Sequence, residues 1–370
     1  MKNPRIIISG GGTGGHIFPA ISIANALKKL QPNAEILFVG AEGRMEMQRI
    51  PQAGYNIIGL PVKGLIRPLW NPRNIFILWD YLRSKQQVKK IIRDFRPDVA
   101  VGVGGYASAA TLNAAYDMGI PCLIQEQNSF AGLTNKTLAK KAQKICVAYE
   151  GMERFFPAER ILLTGNPVRQ NLTENKITRE NAASAFNLST HKPTILLIGG
   201  SLGARTLNNC VLKSLELIRH SDIQFIWQTG SFYKDHIAHE LEKHAIPANL
   251  HVTDFIRSMD SAYKIADLVI SRAGASSISE LCLLGKPSIL VPSPNVSEDH
   301  QTHNAMALVN RNAALMVADT EAEESLIQLA IKTVKDGNLL HKLSDNALAM
   351  AFRNSDIKIA EEVIRLIQRK

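Results

Sequence analysis

The sequence predicts an α/β protein of two doubly wound domains that face a central cleft. Four short apolar runs, each typical of a buried parallel strand, end in a glycine-rich turn and precede a helix-like segment. Two of these units lie in each half of the chain. The 370 residues also exceed what one hydrophobic core usually supports, so two domains are expected.

The four strand-and-turn units also predict where ligands bind. Strands joined by crossover helices form parallel sheets, and such sheets bind ligands at the carboxyl ends of their strands. We therefore expect all four turns to lie at ligand-binding edges. The runs and their turns are 5–8 with 10–15, 99–101 with 104–108, 195–198 with 199–205, and 268–270 with 271–277.

A domain boundary is predicted near residue 166. The segment 166–169 contains Pro167, and the polar stretch that follows to Lys192 interrupts both the strand and the helix periodicity. At the other end of the chain, residues 357–367 have the amphipathic pattern of a helix.

The N-terminus and the hydropathy predict a cytoplasmic protein with only peripheral membrane contact. The apolar run 6–8 is too short for a signal peptide and ends in glycines. No stretch approaches the roughly 18 uninterrupted apolar residues of a spanning helix. The four cysteines are far apart in apolar surroundings, which predicts reduced core residues rather than a zinc site or a disulfide scaffold.

The net charge of +10 comes from the N-terminal part of the chain. Residues 1–165 contain 21 Lys and Arg against 11 Asp and Glu, whereas residues 166–370 contain 22 of each. Within 63–96, basic residues are mixed with large apolar ones, which is typical of a surface that binds an anionic membrane. The alternative is a core helix with a basic solvent face. A nucleic-acid groove is not expected, because the charge lies beside glycine turns and not in a recognisable binding module.

The first turn has the spacing Gly10-x-Gly12-x-x-Gly15 of a dinucleotide fingerprint, and Glu42 lies just beyond the next apolar run. This pattern alone favours a nicotinamide-dependent oxidoreductase. The physical requirement is only a tight turn whose N–H groups face an anion at a helix N-terminus, which any diphosphate satisfies. A second cradle at 199–203 implies a second phosphorylated ligand, so a donor and an acceptor that both carry diphosphates explain the pattern better.

Other residues near the turns are candidates for chemistry. His16 ends the first turn, where an imidazole is suited to act as a general base or to pair with phosphate. Ser276 and Ser277 are expected to cap a helix that begins near Ile278, with Glu280 in its first turn. Glu280 would then accept the ribose hydroxyls of a nucleotide or stabilise the helix dipole.

Two polar clusters follow apolar runs, and the chain contains no Asp-x-Asp pair. Residues 125–128 and 298–304 are either places where a ligand is recognised or solvated loops. Because Asp-x-Asp usually holds the metal that bridges a nucleotide-sugar diphosphate, no essential metal is expected. Helix N-termini, loop N–H groups and arginine would stabilise the leaving diphosphate instead.

Seven motifs, in order and spacing, resemble the MurG family of bacterial glycosyltransferases within glycosyltransferase family 28, over nearly the whole chain. They are 11–16, 104–106, 126–128, 165–169, 199–205, 274–280 and 299–305. The resemblance implies the GT-B fold, with a first domain of 1–165 plus 350–370 that takes the acceptor and associates with the membrane. The second domain, 166–349, would bind UDP-N-acetylglucosamine.

The resemblance further implies an inverting, metal-independent hexosyltransferase without a cofactor. It would move N-acetylglucosamine from UDP-N-acetylglucosamine to the 4-hydroxyl of lipid I (undecaprenyl-diphosphoryl-N-acetylmuramoyl-pentapeptide), giving lipid II and UDP in peptidoglycan synthesis at the cytoplasmic face of the inner membrane. The resemblance leaves open whether other cell-wall synthesis proteins bind this protein. A UDP-N-acetylglucosamine epimerase of the same architecture, a nicotinamide-dependent oxidoreductase and a non-catalytic lipid-diphosphate-binding protein are the alternatives.

Site residues carry over from the family motifs to matching positions. His16 is the first candidate for the general base and Glu126 the second. The expected acceptor-diphosphate contacts are Gly12, Gly104, Gly105 and Tyr106. The expected donor contacts are Thr13, Gly14, Gly15, Asn128, Arg169, Ser201, Ile256 (through its backbone, to uracil), Ala275, Ser276, Ser277, Ile278, Ser279, Glu280 (to ribose) and Gln301. Two departures from the family pattern, Leu202 and the pair Ser276-Ser277, put individual polar contacts in doubt but leave the backbone cradles in place.

Overall fold

The computed structural model describes residues 3–64, 70–168, 172 and 176–368. The chain divides into two compact units, one formed by Met1–Val168 with Phe352–Lys370 and the other by Arg169–Ala351. The sequence-based boundaries, 165/166 and 349/350, lie a few residues before these divisions.

The first unit contains one seven-stranded parallel sheet in the order β3-β2-β1-β4-β5-β6-β7. The strand order reverses between β1 and β4, which makes the carboxyl ends of these two strands the topological switch point. The strands are β1 Arg5–Ser9, β2 Glu35–Ala41, β3 Asn56–Leu60, β4 Val99–Gly102, β5 Cys122–Glu126, β6 Lys144–Val147 and β7 Ile161–Leu163.

Helices cover both faces of this sheet because its strands are apolar on both sides. Ile7 of β1 packs into the core on one face, while Ile6 and Ile8 pack into the core on the other. The helices are α1 Gly14–Leu30, α2 Glu46–Gln52, α3 Asn74–Phe95, α4 Tyr106–Asp117 and α5 Leu133–Leu138, and short 3₁₀ turns occur at Met152–Arg154 and Ala158–Arg160.

The second unit repeats the pattern with a six-stranded parallel sheet in the order β10-β9-β8-β11-β12-β13. Its switch point lies between β8 and β11. The strands are β8 Thr194–Ile198, β9 Gln224–Gln228, β10 Leu250–Thr253, β11 Leu268–Ser271, β12 Ser288–Leu290 and β13 Leu315–Met316. The helices are α6 Arg179–Ser184, α7 Arg205–Lys213, α8 Leu215–Arg219, α9 Lys234–Glu242, α10 Met259–Ile265, α11 Ala275–Leu283, α12 His300–Val309, α13 Ala322–Val334 and α14 Gly337–Ala349.

The last helix, α15 Ser355–Gln368, belongs to the first unit. Its apolar side, with Ile359, Val363 and Leu366, joins the core cluster on the α1 face of the first sheet. The amphipathic helix expected from residues 357–367 is confirmed.

The expected class, two doubly wound parallel α/β domains, is confirmed. The cysteines Cys122, Cys146, Cys210 and Cys282 are buried and free, as expected. Burial raises the pKa of the Cys122 and Cys282 thiols to about 12, which makes them poor nucleophiles at neutral pH. Among the described residues, no helix is both long and apolar enough to cross a membrane.

Candidate functional site

The two glycine turns of the first unit pack against each other at the switch point. Gly105 has a φ of +85°, and a Cβ added to it would lie 2.7 Å from the Gly11 carbonyl oxygen. A Cβ on Gly10 would overlap the Val103 side chain. Only glycine permits this close backbone approach, so the turns after β1 and β4 form one continuous surface.

His16 lies between these two turns. Its Nδ1 is 3.0 Å from the Gly11 carbonyl oxygen. A carbonyl can only accept, so Nδ1 carries the proton in this contact, and Nε2 carries the lone pair of the neutral ring. Nε2 faces the second turn, since a Cβ on Gly104 would lie 2.8 Å from it. This contact favours the neutral tautomer in which Nε2 can accept a proton.

The N-terminus of α1 presents the expected phosphate contacts of the first turn. Thr13 is the N-cap residue, is exposed and makes no side-chain capping bond, and Gly14 and Gly15 are the first two helical residues. The first N–H groups of a helix have no partner within that helix and favour an anion. This geometry is compatible with the expected roles of all three residues.

Glu46, which the sequence analysis missed, lies directly under the first turn. Its side chain is fully buried at the start of α2. Its Oε2 accepts from the Gly12 N–H at 3.0 Å, and its Oε1 accepts from the Ala41 N–H at 3.1 Å. The Gly12 N–H is thus already bonded to a carboxylate, which counts against the expected diphosphate contact at Gly12.

The second turn leads directly into α4. Gly105 is the N-cap residue, and Tyr106 is the first residue of the helix, with about half of its side chain exposed. Gly64 approaches the Tyr106 ring so closely that an added Cβ would lie 2.6 Å from it. The expected acceptor residues Gly104, Gly105 and Tyr106 are therefore adjacent in space to His16 and the first turn.

Glu126 holds a loop together and is poorly placed for proton transfer. The residue is 1% exposed. One carboxylate oxygen accepts from the Asn128 backbone N–H at 3.0 Å, and the other accepts from the Gly132 N–H at 3.1 Å and from Asn135 Nδ2 at 2.9 Å. These bonds favour a positioning role for Glu126 over its expected role as the second candidate base. Asn128, the expected donor contact, is partly exposed on the loop that Glu126 organises.

A buried amide network lies behind this loop. Gln127 Nε2 donates to the Val103 carbonyl at 2.8 Å and to the Gln125 side chain, and Gln125 Nε2 donates to Asn166 Oδ1 at 3.0 Å. Asn166 Nδ2 in turn donates to the Gln127 carbonyl at 2.9 Å. The network ties the end of β5 to the second turn and to the end of the first unit.

The third turn, at the second unit's switch point, is also built on close glycine contacts. Gly203 has a φ of +88°, and its N–H donates to the Gly200 carbonyl at 2.9 Å. A Cβ on Gly203 would overlap the Thr229 carbonyl. Ser201 and Leu202 lie exposed at the tip of the turn, immediately before α7 begins.

The fourth turn differs from its prediction. Helix α11 begins at Ala275 with Gly274 as its N-cap, so the expected start near Ile278 and the capping role of Ser276 and Ser277 are wrong. Gly274 has extended backbone angles that already allow the chain to enter the helix. Both serines therefore lie in the first helical turn, with partly exposed side chains.

Glu280 consequently lies in the second turn of α11, not in the first. It is 5% exposed, and its Oε2 accepts from the Tyr263 hydroxyl at 3.1 Å. On the same helix, Ile278 is buried, and Ser279 donates back to the Ala275 carbonyl at 2.9 Å.

A partly buried ion pair beside the third turn was also missed. Arg272, directly after β11, pairs with Asp319 and donates to the Val291 and Pro292 carbonyls at 3.1 Å. Asp319 also accepts from Thr206, the second residue of α7, at 2.9 Å. These contacts join residues far apart in sequence, and no local pattern marks them.

Two other expected donor contacts, Gln301 and Ile256, have side chains that are partly or fully buried. Gln301 Oε1 accepts from the Ser293 N–H at 2.9 Å and so fixes the loop after β12. The Ile256 side chain is 4% exposed in the core, a placement that suits the expected backbone role. Arg169 lies outside the described residues.

The two halves of α3, within the segment 63–96, differ in which side chains they expose. The N-terminal half of α3 exposes large apolar side chains, whereas Val88, Ile91 and Ile92 in its C-terminal half join the core. Lys85 pairs with Asp117 of α4 at 2.7 Å, and this contact lowers the pKa of that carboxyl. Leu65, Ile66, Arg67 and Leu69 lie outside the described residues. The exposed patch, here called the α3 patch, consists of Trp70, Ile75, Phe76, Leu78, Trp79 and Leu82.

A metal centre finds no support among the described side chains. Over the described ranges, no group of three or more His, Cys, Asp or Glu residues is arranged to hold an ion. The expectation of a metal-independent reaction stays a prediction.

Known proteins resemble this chain over nearly its full length. It is 60% identical over 366 residues to the "UDP-N-acetylglucosamine--N-acetylmuramyl-(pentapeptide) pyrophosphoryl-undecaprenol N-acetylglucosamine transferase" of Bacteroides fragilis, covering 98% of this chain and 96% of that protein. The Bacteroides thetaiotaomicron protein of the same name is 58% identical over 369 residues, covering 99% of each chain.

Structural comparison and family models agree with these relatives. The crystal structure of Acinetobacter baumannii MurG matches with a TM-score of 0.77 and 27% identity, covering 98% of this chain and 99% of that one, and the two sheets correspond to the GT-B fold. The family models "Glycosyltransferase family 28 N-terminal domain" and "Glycosyltransferase family 28 C-terminal domain" match residues 6–147 and 194–362. The chain belongs to glycosyltransferase family 28.

Proposed function

We propose that this protein transfers N-acetylglucosamine from UDP-N-acetylglucosamine to lipid I, forming lipid II and UDP. The observation that carries the proposal is the 58–60% identity, over nearly the whole chain, to transferases whose names specify this donor and this acceptor. Two glycine-rich switch points, one in each unit, support the proposal because each substrate carries a diphosphate.

The donor's nucleotide is proposed to bind the second unit. The tip of the third turn, with Ser201, and the N-terminus of α11 offer backbone N–H groups and hydroxyls to the diphosphate. Glu280, held by Tyr263, is proposed to accept the ribose hydroxyls. Gln301 and the backbone of Ile256 are further proposed contacts.

The proposed chemistry is a direct displacement with inversion. The muramoyl 4-hydroxyl oxygen attacks the anomeric carbon of the α-linked sugar, the bond from that carbon to the UDP oxygen breaks, and a β-1,4 bond forms. His16 Nε2 takes the hydroxyl proton as general base, a role supported by the Nδ1 contact to the Gly11 carbonyl. The leaving UDP keeps the electron pair of the broken bond and is stabilised by N–H donors.

The α3 patch is proposed to bind the membrane. The proposed location is the cytoplasmic face of the inner membrane, where the enzyme would encounter lipid I. Phe76 and Trp79 are 72% and 64% exposed, and the cations Arg73, Arg83 and Lys90 lie on the same helix or at its start. Apolar side chains insert at the headgroup boundary, while each nearby cation adds about 1 kcal/mol on anionic lipid.

The proposal is tested by measuring UDP release with each substrate omitted in turn. A transferase releases UDP from UDP-N-acetylglucosamine only when a short-tailed lipid I analogue is present. An epimerase of the same architecture would instead act on the donor without acceptor. Conversion of the donor to its 2-epimer, or UDP release that does not depend on the acceptor, would contradict the proposal.

A further inference from the structure

Glu46 is a buried carboxylate that the proposed chemistry does not use. Its side chain is 0% exposed, and each of its oxygens accepts one backbone N–H, from Ala41 and from Gly12. Gly11 and Gly40 pack so closely on it that a Cβ on either would overlap the Glu46 side chain or lie within 2.7 Å of it. The Glu46 side chain therefore fits only because residues 11 and 40 are glycines.

The two anchors of Glu46 differ in rigidity. Ala41 ends β2 and is paired with Leu60 of β3, so the sheet fixes its position. Gly12 lies in the exposed first turn, where its φ of +87° places it outside regular structure. The carboxylate therefore ties the turn to the sheet, and the turn is the partner that moves if the tie is lost.

The neighbouring peptide connects this tie to the proposed base. Gly11 precedes Gly12, which Glu46 anchors, and packs against Gly105 of the second turn. The Gly11 carbonyl accepts a hydrogen bond from His16 Nδ1. A displacement of the Gly11–Gly12 peptide would move that carbonyl and remove the bond that selects the Nδ1-protonated tautomer.

We propose that Glu46 is a positioning residue: it fixes the first glycine turn and, through the Gly11 carbonyl, holds His16 in the tautomer that accepts a proton at Nε2. Its effect on turnover rests on the proposed function, whereas its effect on the His16 ring does not. The same contact makes the Gly12 N–H a structural donor and places a carboxylate where a diphosphate at Gly12 would be repelled.

The test uses Glu46→Gln in the full-length protein. A glutamine has nearly the same shape, but its NH₂ group faces one of the two backbone donors, and the turn at Gly12 is expected to yield. Glu42→Gln is the matched control, because Glu42 is exposed and only four residues away. Glu46→Asp, which keeps the charge but is one methylene shorter, is the second variant in case the first does not fold.

The first readout is the ¹⁵N spectrum of the imidazoles, with the His16 signal assigned by its loss in His16→Gln. We expect the His16 nitrogens to show the Nδ1-protonated form in the wild type and in Glu42→Gln, and to move towards mixed tautomers in both Glu46 variants. The second readout is kinetic, where kcat should fall on the order of 10- to 100-fold with a changed pH profile. An unchanged His16 signal in a folded Glu46 variant overturns the inference. If the wild type shows no transfer at all, the proposed function fails, and the spectrum still decides the role of Glu46.

Discussion

At the scale of single residues, the contacts of His16 make it the residue whose loss should affect chemistry most. His16→Ala removes the proposed proton acceptor, and general-base catalysis typically contributes about 10²- to 10⁴-fold to the rate. We expect kcat to fall by that order while calorimetry shows unchanged UDP binding, because the nucleotide is proposed to bind the second unit. His220→Ala, an exposed histidine of that unit, is the control. Full turnover by His16→Ala would assign the base elsewhere.

Glu126 is expected to behave as a structural residue. Glu126→Gln places an NH₂ group against the Asn128, Gly132 and Asn135 donors, and leaving such a group without a partner costs about 1–3 kcal/mol. The prediction is a lower midpoint in urea unfolding, with the shape of the pH–rate profile retained.

The exposed residue Glu153 provides the matched control, since Glu153→Gln should leave the midpoint in place. If Glu126→Gln instead kept full stability and lost one limb of the pH–rate profile, Glu126 would be the base.

At the scale of elements, α3 is the helix whose two halves differ in exposure. Replacing Phe76 and Trp79 with serine removes two exposed side chains, each worth roughly 1.5–3 kcal/mol when fully buried in an apolar environment. We expect binding to anionic vesicles to fall at least about tenfold in a flotation assay, with activity on a short-tailed acceptor retained.

Leu217→Ser, at an exposed position of α8 in the other unit, is the control for a general effect of polarity. Vesicle binding that survives the loss of both aromatic side chains would rule out the α3 patch as the membrane contact.

Strands and turns could be predicted from local pattern alone. The apolar run 195–198 before Gly199 became β8 Thr194–Ile198, because consecutive buried residues followed by a glycine leave few alternatives. The start of α11 could not be located in this way: serines are common N-caps, but Gly274 already supplies the required backbone angles. Local propensity did not distinguish the two possibilities.

At the scale of the whole molecule, the sequence showed two similar halves, and the structure gave them the same strand order around a switch point. The contacts that complete each switch point were beyond sequence reasoning. Glu46 reaches Gly12 across 34 positions, and Arg272 reaches Asp319 across 47. Residues so far apart in sequence produce no periodic pattern that would reveal their contact. From the sequence alone, Glu46 and Asp319 cannot be told from ordinary surface residues.

The most direct test of the proposed transfer is the mass and linkage of the product made from UDP-N-acetylglucosamine and a short-tailed lipid I analogue. We expect the acceptor to gain one N-acetylhexosamine residue, which NMR should show β-linked to the muramoyl 4-oxygen. An acceptor of unchanged mass, or a sugar attached in the α configuration, would contradict the proposed inverting transfer.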